Sequence, residues 1–204
     1  MSIDLSGVAQ LYARSLQTHG ETSCGVGWRD ETSHSLRFDR LARVIRPDGA
    51  PLEINELGCG YGAFYEYLVQ QGLPVACYRG IDISAEMIER ARERLKGAPV
   101  DLAPGSELNR DADYSFASGI FNVRLSCGEV EWRDHILATL ANLATRSRRG
   151  FAFNLLSTYV DWREDHLYYG DPAFFFDHCK RNFSRYVTLL HDYPLYEWTM
   201  LVNK

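Results

Sequence analysis

Apolar residues recur every three or four positions near the start of the chain, which predicts two amphipathic helices. The first is predicted over residues 4–19 and the second over residues 33–46, with a glycine-rich segment, residues 20–30, between them. The second helix is expected to end at Pro47, since proline cannot continue a helix. We expect residues 1–48 to form a helical cover for the remainder of the chain.

From residue 52 onward, short apolar runs alternate with amphipathic stretches, as in a mostly parallel sheet with helices on both faces. Seven strands are predicted, at residues 52–57, 76–82, 100–103, 113–118, 150–156, 185–191 and 197–202. Helices are predicted at residues 62–71, 84–95, 129–145 and 171–182. Ser84 and Asp171 are the expected N-caps of two of these helices. The last two strands lie too close together for a helical crossover, so they are predicted to pair as an antiparallel hairpin.

Length and composition are those of one globular α/β domain. The chain has 204 residues, of which 46% are hydrophobic and 24% charged. We expect a single domain over residues 1–204, with residues 52–204 as its core. The net charge of -5 argues against a nucleic-acid partner, which is normally bound by a basic surface. One basic run, Arg146, Arg148 and Arg149, falls at the predicted end of a helix, where the helix dipole favours cations.

Other features are typical of a cytoplasmic protein that does not bind membranes. The start of the chain lacks the basic and apolar segments of a signal peptide, and no apolar stretch is long enough to cross a bilayer. The five cysteines are scattered without a CxxC pair, so neither a metal site nor a disulfide framework is expected. The sequence does not indicate an oligomeric state.

The segment between the first predicted strand and its helix is rich in glycine. It reads Glu56-Leu57-Gly58-Cys59-Gly60-Tyr61-Gly62-Ala63. Gly58 and Gly60 allow a tight turn and a close approach of the backbone to a ligand, and the helix that follows presents free N–H groups. Asp82 ends the second strand, where a carboxylate can accept hydrogen bonds from ribose hydroxyls.

Two interpretations of this segment compete. Gly58-x-Gly60-x-x-Ala63 satisfies the dinucleotide-binding fingerprint, whereas Glu56-x-Gly58-x-Gly60-x-Gly62 resembles motif I of class I S-adenosylmethionine-dependent methyltransferases. The third alternate glycine, the acidic residue before the first and the terminal hairpin favour the second interpretation. A nucleotide-dependent oxidoreductase and a non-catalytic S-adenosylmethionine-binding protein remain the alternatives.

The resemblance extends along most of the chain. GIDIS at 80–84 looks like the ribose-binding turn of this family, and DYSFASGIFN at 113–122 looks like its fourth strand. HGETSCGVGWRDETSHSLRF and HDYPLYEWTMLV are similar to segments of a subgroup of small bacterial methyltransferases, mostly of unassigned substrate. The resemblance implies a Rossmann-like fold and S-adenosyl-L-methionine as the cofactor.

The same resemblance implies roles for individual residues. Gly58, Cys59 and Gly60 would lie against the aminoacyl and ribose portions of the cofactor, and Glu56 would face its charged end or orient the loop. Asp82 would bind the ribose. The other expected cofactor contacts are Ile83 and Met87 at the adenine, Ser106 near its amino group, and Ser118 and Gly119 beside the methionine portion. Tyr12 and Arg37, on the two N-terminal helices, are candidates to bind the cofactor's carboxylate.

Transfer of a methyl group from a sulfonium is an in-line displacement, so positioning of the reactants can supply much of the rate. A general base is needed only where the acceptor keeps its proton. Candidate catalytic residues are Asn122, Tyr159 and His191, and candidate substrate contacts are Trp28, His166 and Tyr168. Ser118-Gly119-Ile120-Phe121 lacks the Asn/Asp-Pro-Pro-aromatic signature of nucleobase methylation, so a small-molecule acceptor is expected.

Overall fold

A computed structural model describes residues 3–20 and 31–204. The elements in chain order are α1 (Ser6–His19), α2 (Glu31–Ala42), β1 (Leu52–Leu57), α3 (Ala63–Gln70), β2 (Val75–Asp82), α4 (Ala85–Arg94), β3 (Val100–Pro104), β4 (Ala112–Ala117), α5 (Glu129–Arg146), β5 (Ser147–Leu156), α6 (Pro172–Asn182), β6 (Tyr186–Leu190) and β7 (Glu197–Asn203). The expected caps form: Ser84 Oγ accepts from Met87 N, and Asp171 accepts from Ala173 N.

The seven strands form one sheet in the order β3-β2-β1-β4-β5-β7-β6. Strands β1 to β5 pair in parallel, and β7 is antiparallel to both of its neighbours. The expected α/β fold, with a mostly parallel sheet and a terminal hairpin, is confirmed. The strand order reverses between β1 and β4, and ligands of such sheets bind beyond the strand ends at this point.

Side chains of alternate strand residues build a core on each face of the sheet. Phe116 and Ala152 pack in the cluster that receives α2, α3 and α4. Ala117 and Phe153 pack in the opposite cluster, which receives α1, α5 and α6. This period of two is that of strands covered on both faces.

Two predicted boundaries differ from the observed ones by three residues or more. Helix α2 ends at Ala42 instead of residue 46, because the amides of Val44 and Ile45 bond three residues back and tighten the last turn. Strand β5 begins at Ser147, so Arg148 and Arg149 lie on a strand and not at a helix end. Arg148 pairs with Glu53 and Asp113, Arg149 pairs with Asp48 and Arg146 pairs with Asp111.

Candidate functional site

The glycine segment forms a tight bend between β1 and α3. Gly58, Gly60 and Gly62 have positive φ angles of 77°, 52° and 89°, a conformation that side chains disfavour. The amides of Gly58 and Cys59 donate to the carbonyl of Ile81 at 2.6 and 3.2 Å. The bend is therefore fastened to the end of β2.

The carboxylate of Asp82 forms a second attachment between β2 and this bend. Its Oδ2 accepts from Gly60 N at 2.9 Å, and its Oδ1 accepts from Ser84 N at 2.8 Å. Burial raises the pKa of Asp82, and these two backbone hydrogen bonds oppose the increase. Each carboxylate oxygen can accept a second hydrogen bond, so Asp82 can still bind a pair of ligand hydroxyls.

Glu56 lies beside this carboxylate near the end of β1 and is 2% exposed. The hydroxyl of Tyr78, on β2, donates to Glu56 Oε2. Burial raises the pKa of Glu56 to about 8; the bond from Tyr78 lowers it, and the charge of Asp82 raises it. Tyr78 could not be predicted from the sequence, because its approach to Glu56 depends on how β1 and β2 pair.

A cleft of about 970 Å³, part of it open to solvent, lies over the bend. Its wall contains eleven of the expected cofactor residues: Tyr12, Glu56, Gly58, Cys59, Gly60, Asp82, Ile83, Met87, Ser106, Ser118 and Gly119. These residues come from α1, α4, the ends of β1 and β2, and the loops after β1, β2, β3 and β4. The structure thus brings separate segments of the chain together around one cavity.

The wall also contains residues that the sequence did not predict as cofactor contacts. They are Leu5, Val8, His34, Phe38, Leu57, Tyr61, Ala63, Phe64, Gly105, Ile120, His135 and Thr139. His34 and Phe38, and likewise His135 and Thr139, are four residues apart on α2 and α5, so each pair shares a helix face. That spacing was visible in the sequence, but it does not show which face points to a cavity.

Both histidines of the wall are held in the neutral form. Burial, and then the charge of Arg37, lowers the pKa of His34 to about 4. Burial also lowers the pKa of His135. A neutral imidazole can accept a hydrogen bond or a proton from a ligand.

Arg37 does not line the cleft, contrary to the expected contact with the cofactor's carboxylate. Its Nε donates to Glu197 Oε2 at 2.8 Å, and both side chains are almost completely buried. This ion pair directs the guanidinium towards β7. Tyr12 is the other candidate for that contact, and burial followed by the charge of Asp82 raises its pKa to about 12, so it remains a hydroxyl donor.

Among the residues that the structure describes, none of the candidate catalytic and substrate residues lines this cleft. Asn122 is buried and its Oδ1 accepts from Leu156 N at 3.1 Å, so it supports the backbone. Tyr168 is 5% exposed and packs in the core. The three others are exposed: Tyr159 and His191 contact each other with ring centroids 5.8 Å apart, and His166 lies 3.6 Å from Glu164. Trp28 lies outside the described residues.

The described part of the wall contains acidic side chains and no lysine or arginine. Because the pKa of Glu56 is raised to about 8, that group is largely protonated at neutral pH, so Asp82 is the main group that would favour a cationic ligand. The hydroxyl of Ser118 is buried without a hydrogen-bond partner among the residues that the structure describes. A buried polar atom of this kind usually has a partner, which a bound ligand can supply.

Two further properties concern residues 3–20 and 31–204. Within them, no three His, Cys, Asp or Glu side chains are grouped so that they could hold a metal ion. Helices with the length and apolarity of a membrane span are likewise absent from this part of the chain.

Comparisons with known proteins agree with this geometry. A family profile described as a methyltransferase domain matches residues 54–150. The Putative methyltransferase Rv1506c of Mycobacterium tuberculosis is 52% identical over 157 residues, which are 76% of this chain and 94% of that protein. A trans-aconitate 2-methyltransferase of Methylobacterium nodulans is 35% identical over 108 residues, 52% of this chain and 37% of that protein.

Solved structures show the same fold. The magnesium protoporphyrin IX methyltransferase of Synechocystis, with bound SAM, has a TM-score of 0.67 at 15% identity, covering 100% of this chain and 98% of that chain. The match to the Mycobacterium tuberculosis protein over nearly its whole length establishes the family. This chain belongs to the class I S-adenosylmethionine-dependent methyltransferases. The expected enzyme class and methyl donor are confirmed, in place of the oxidoreductase alternative.

Proposed function

We propose that this enzyme transfers the methyl group of S-adenosylmethionine to a small-molecule acceptor, mainly by positioning the two reactants. The observation that carries the proposal is the cleft itself: helices α1 and α2 contribute Tyr12, His34 and Phe38 to the wall around the glycine bend. An acceptor must therefore enter a walled space.

The surface charge supports a metabolite over a nucleic acid. The net charge is -5, and each arginine of the basic run is paired with a carboxylate: Arg146 with Asp111, Arg148 with Glu53 and Asp113, and Arg149 with Asp48. These pairs leave little net positive charge for phosphate contacts, which dominate nucleic-acid affinity.

Within the cleft, each part of the wall has a proposed role. Asp82 binds the ribose hydroxyls, Ile83 and Met87 pack against the adenine, and Tyr12 donates to the carboxylate. Ser106 binds near the adenine amino group, and Ser118 and Gly119 lie beside the methionine portion. Gly58, Cys59 and Gly60 let the backbone approach the ligand, and Glu56 orients that bend or faces the positive charge.

The cofactor supplies an activated methyl group through its sulfonium charge. The chain's part is to orient the acceptor, which can lower the barrier by roughly 7–11 kcal/mol. An acceptor that keeps its proton would need a base; His34 and His135 are neutral imidazoles in the described part of the wall, but their lowered pKa values make them weak bases and suit them better to accept a hydrogen bond. Asn122, Tyr159 and His191 remain candidates only if the acceptor extends beyond the cleft.

Methyl transfer from radiolabelled S-adenosylmethionine tests the proposal. Separate reactions contain a pooled metabolite extract, total tRNA, fragmented DNA and denatured protein. We expect label in the metabolite fraction and at most background label in the others. Label found only in a macromolecular fraction would refute the small-molecule proposal. Trans-aconitate is one defined acceptor to include, since a relative bears its name.

A further inference from the structure

A buried polar chain links the helical cover to the loop that follows β4. It consists of Arg37 on α2, Glu197 on β7, Asn154 on β5 and the backbone amide of Gly119. Arg37 Nε donates to Glu197 Oε2 at 2.8 Å, and Asn154 Nδ2 donates to Glu197 Oε1 at 3.2 Å. Gly119 N donates to Asn154 Oδ1 at 2.7 Å. The residues Arg37, Glu197 and Asn154 are 7%, 1% and 0% exposed.

In the buried polar chain, the chemistry of each group fixes which partner donates and which accepts every hydrogen bond. Asn154 must present its oxygen to the Gly119 amide and its NH2 group to the carboxylate, because a flipped amide would oppose donor to donor and acceptor to acceptor. Glu197 uses one carboxylate oxygen for each neighbour. Since these polar groups are buried, each lost partner would leave an unsatisfied group, which is costly.

One end of the buried polar chain lies in the wall of the cleft, and the other end lies on a helix that contributes to the wall. At one end, Arg37 lies on the helix whose neighbouring residues His34 and Phe38 line the cavity. At the other end, Gly119 has a positive φ of 72° and lines the cavity together with Ser118. The chain thus joins the cover and the loop after β4, which are separate in sequence, through two strands of the sheet.

We propose that Asn154 and Glu197 are positioning residues for methyl transfer, which hold the loop after β4 and helix α2 in a fixed relation at the methionine end of the cleft. This inference rests on the proposed arrangement of the cofactor, with Ser118 and Gly119 beside its methionine portion. Neither residue lines the cleft, so both act through the groups that they hold.

Two probes of different length separate positioning from general destabilisation. Adenosine occupies only the ribose and adenine subsites, whereas S-adenosylhomocysteine also extends past Gly119. Asn154→Leu keeps the approximate shape of the side chain and removes both of its hydrogen bonds. In isothermal titration calorimetry we expect its affinity for S-adenosylhomocysteine to fall at least tenfold and its affinity for adenosine to change less than threefold.

Asn55→Leu is the matched control. Asn55 is also a buried strand asparagine, 1% exposed, but it donates to the carbonyl of Arg110 and does not line the cleft. We expect this variant to lower the melting temperature without changing the ratio of the two affinities. Equal losses for both probes in Asn154→Leu, or no loss in the folded variant, would overturn the proposal.

Glu197→Gln tests the same positioning role if Asn154→Leu does not fold. A glutamine offers one oxygen and one NH2 group, so it cannot accept from both Arg37 and Asn154, and the same selective loss is expected. An unchanged affinity ratio in Glu197→Gln would count against the inference. Failure of the wild-type protein to bind either probe would instead refute the proposed cofactor arrangement.

Discussion

Asp82 Oδ2 accepts a hydrogen bond of 2.9 Å from the backbone amide of Gly60, so the tip of β2 holds the glycine bend that follows β1. The Asp82 carboxylate therefore has both a structural role and a proposed ligand-binding role. It fixes the shape of the bend, and it retains lone pairs that face the cleft. A change at this position is expected to affect ligand binding through both roles.

Asp82→Asn should raise the dissociation constant for S-adenosylhomocysteine at least tenfold. The amide NH2 group of asparagine would oppose one of the two backbone donors, Gly60 N or Ser84 N. Calorimetric titration measures the change, and we expect micromolar affinity, roughly -8 kcal/mol, for the wild type. Asp101→Asn is the control, because Asp101 is exposed and its pair with Arg110 contributes little. Wild-type affinity in Asp82→Asn would contradict this role.

Gly58→Ala should destabilise the protein and abolish binding of S-adenosylhomocysteine. A Cβ at this position would lie 2.0 Å from Cγ2 of Ile120, and the backbone has a φ of 77°. Gly72→Ala is a matched control, since its φ is 72° but its Cβ would meet nothing within 4 Å. We expect Gly72→Ala to cost only the left-handed strain, about 1–2 kcal/mol in urea unfolding, and to keep its affinity. Similar results for the two variants would show that the collision is unimportant.

The buried Glu56 should make stability depend on pH. Because its pKa is raised to about 8 in the folded protein, the folded state holds a proton that the unfolded state releases near pH 4.5. This contribution is complete below pH 4.5 and is lost as the pH rises through 8, by roughly 1 kcal/mol per pH unit. Urea unfolding between pH 5 and 8 should show the wild type losing stability relative to Glu56→Gln. A pH-independent difference between the two would refute the raised pKa.

Tyr78→Phe should move the pH range in which Glu56 loses its contribution to stability to higher pH. The hydrogen bond from the Tyr78 hydroxyl lowers the pKa of Glu56, so its removal leaves the carboxyl harder to ionise. The same unfolding series measures the shift. A range that moves to lower pH would mean that the hydroxyl does not stabilise the carboxylate.

Ser118→Ala should weaken S-adenosylhomocysteine binding about fivefold, near 1 kcal/mol, without lowering the melting temperature. Its buried hydroxyl has no hydrogen-bond partner among the described residues, so its removal costs the ligand-free protein nothing. Ser147→Ala should lower the melting temperature and leave the affinity for S-adenosylhomocysteine unchanged. The Ser147 hydroxyl donates to Leu143 O at 2.6 Å. Ser147 is the first residue of β5 and does not line the cleft. Loss of stability without loss of affinity in Ser118→Ala would exclude the ligand contact.

Much of the site was predictable because its chemistry is local in sequence. The bend from Gly58 to Gly62 needs only alternate glycines between a strand and a helix, and Asp82 needs only its place at the end of the next strand. In contrast, Tyr78 meets Glu56 through the pairing of two strands. His34 faces the cleft because of the way α2 packs, which the helical period alone does not specify.

The sequence by itself determined the order of strands and helices, the bend and its carboxylate, because hydrophobic period and glycine spacing act over a few residues. Only the tertiary structure decided that Arg37 pairs with Glu197, 160 residues away, instead of a ligand carboxylate. A buried charge binds whichever opposite charge packing brings to it, and that choice is made when helix, sheet and hairpin assemble.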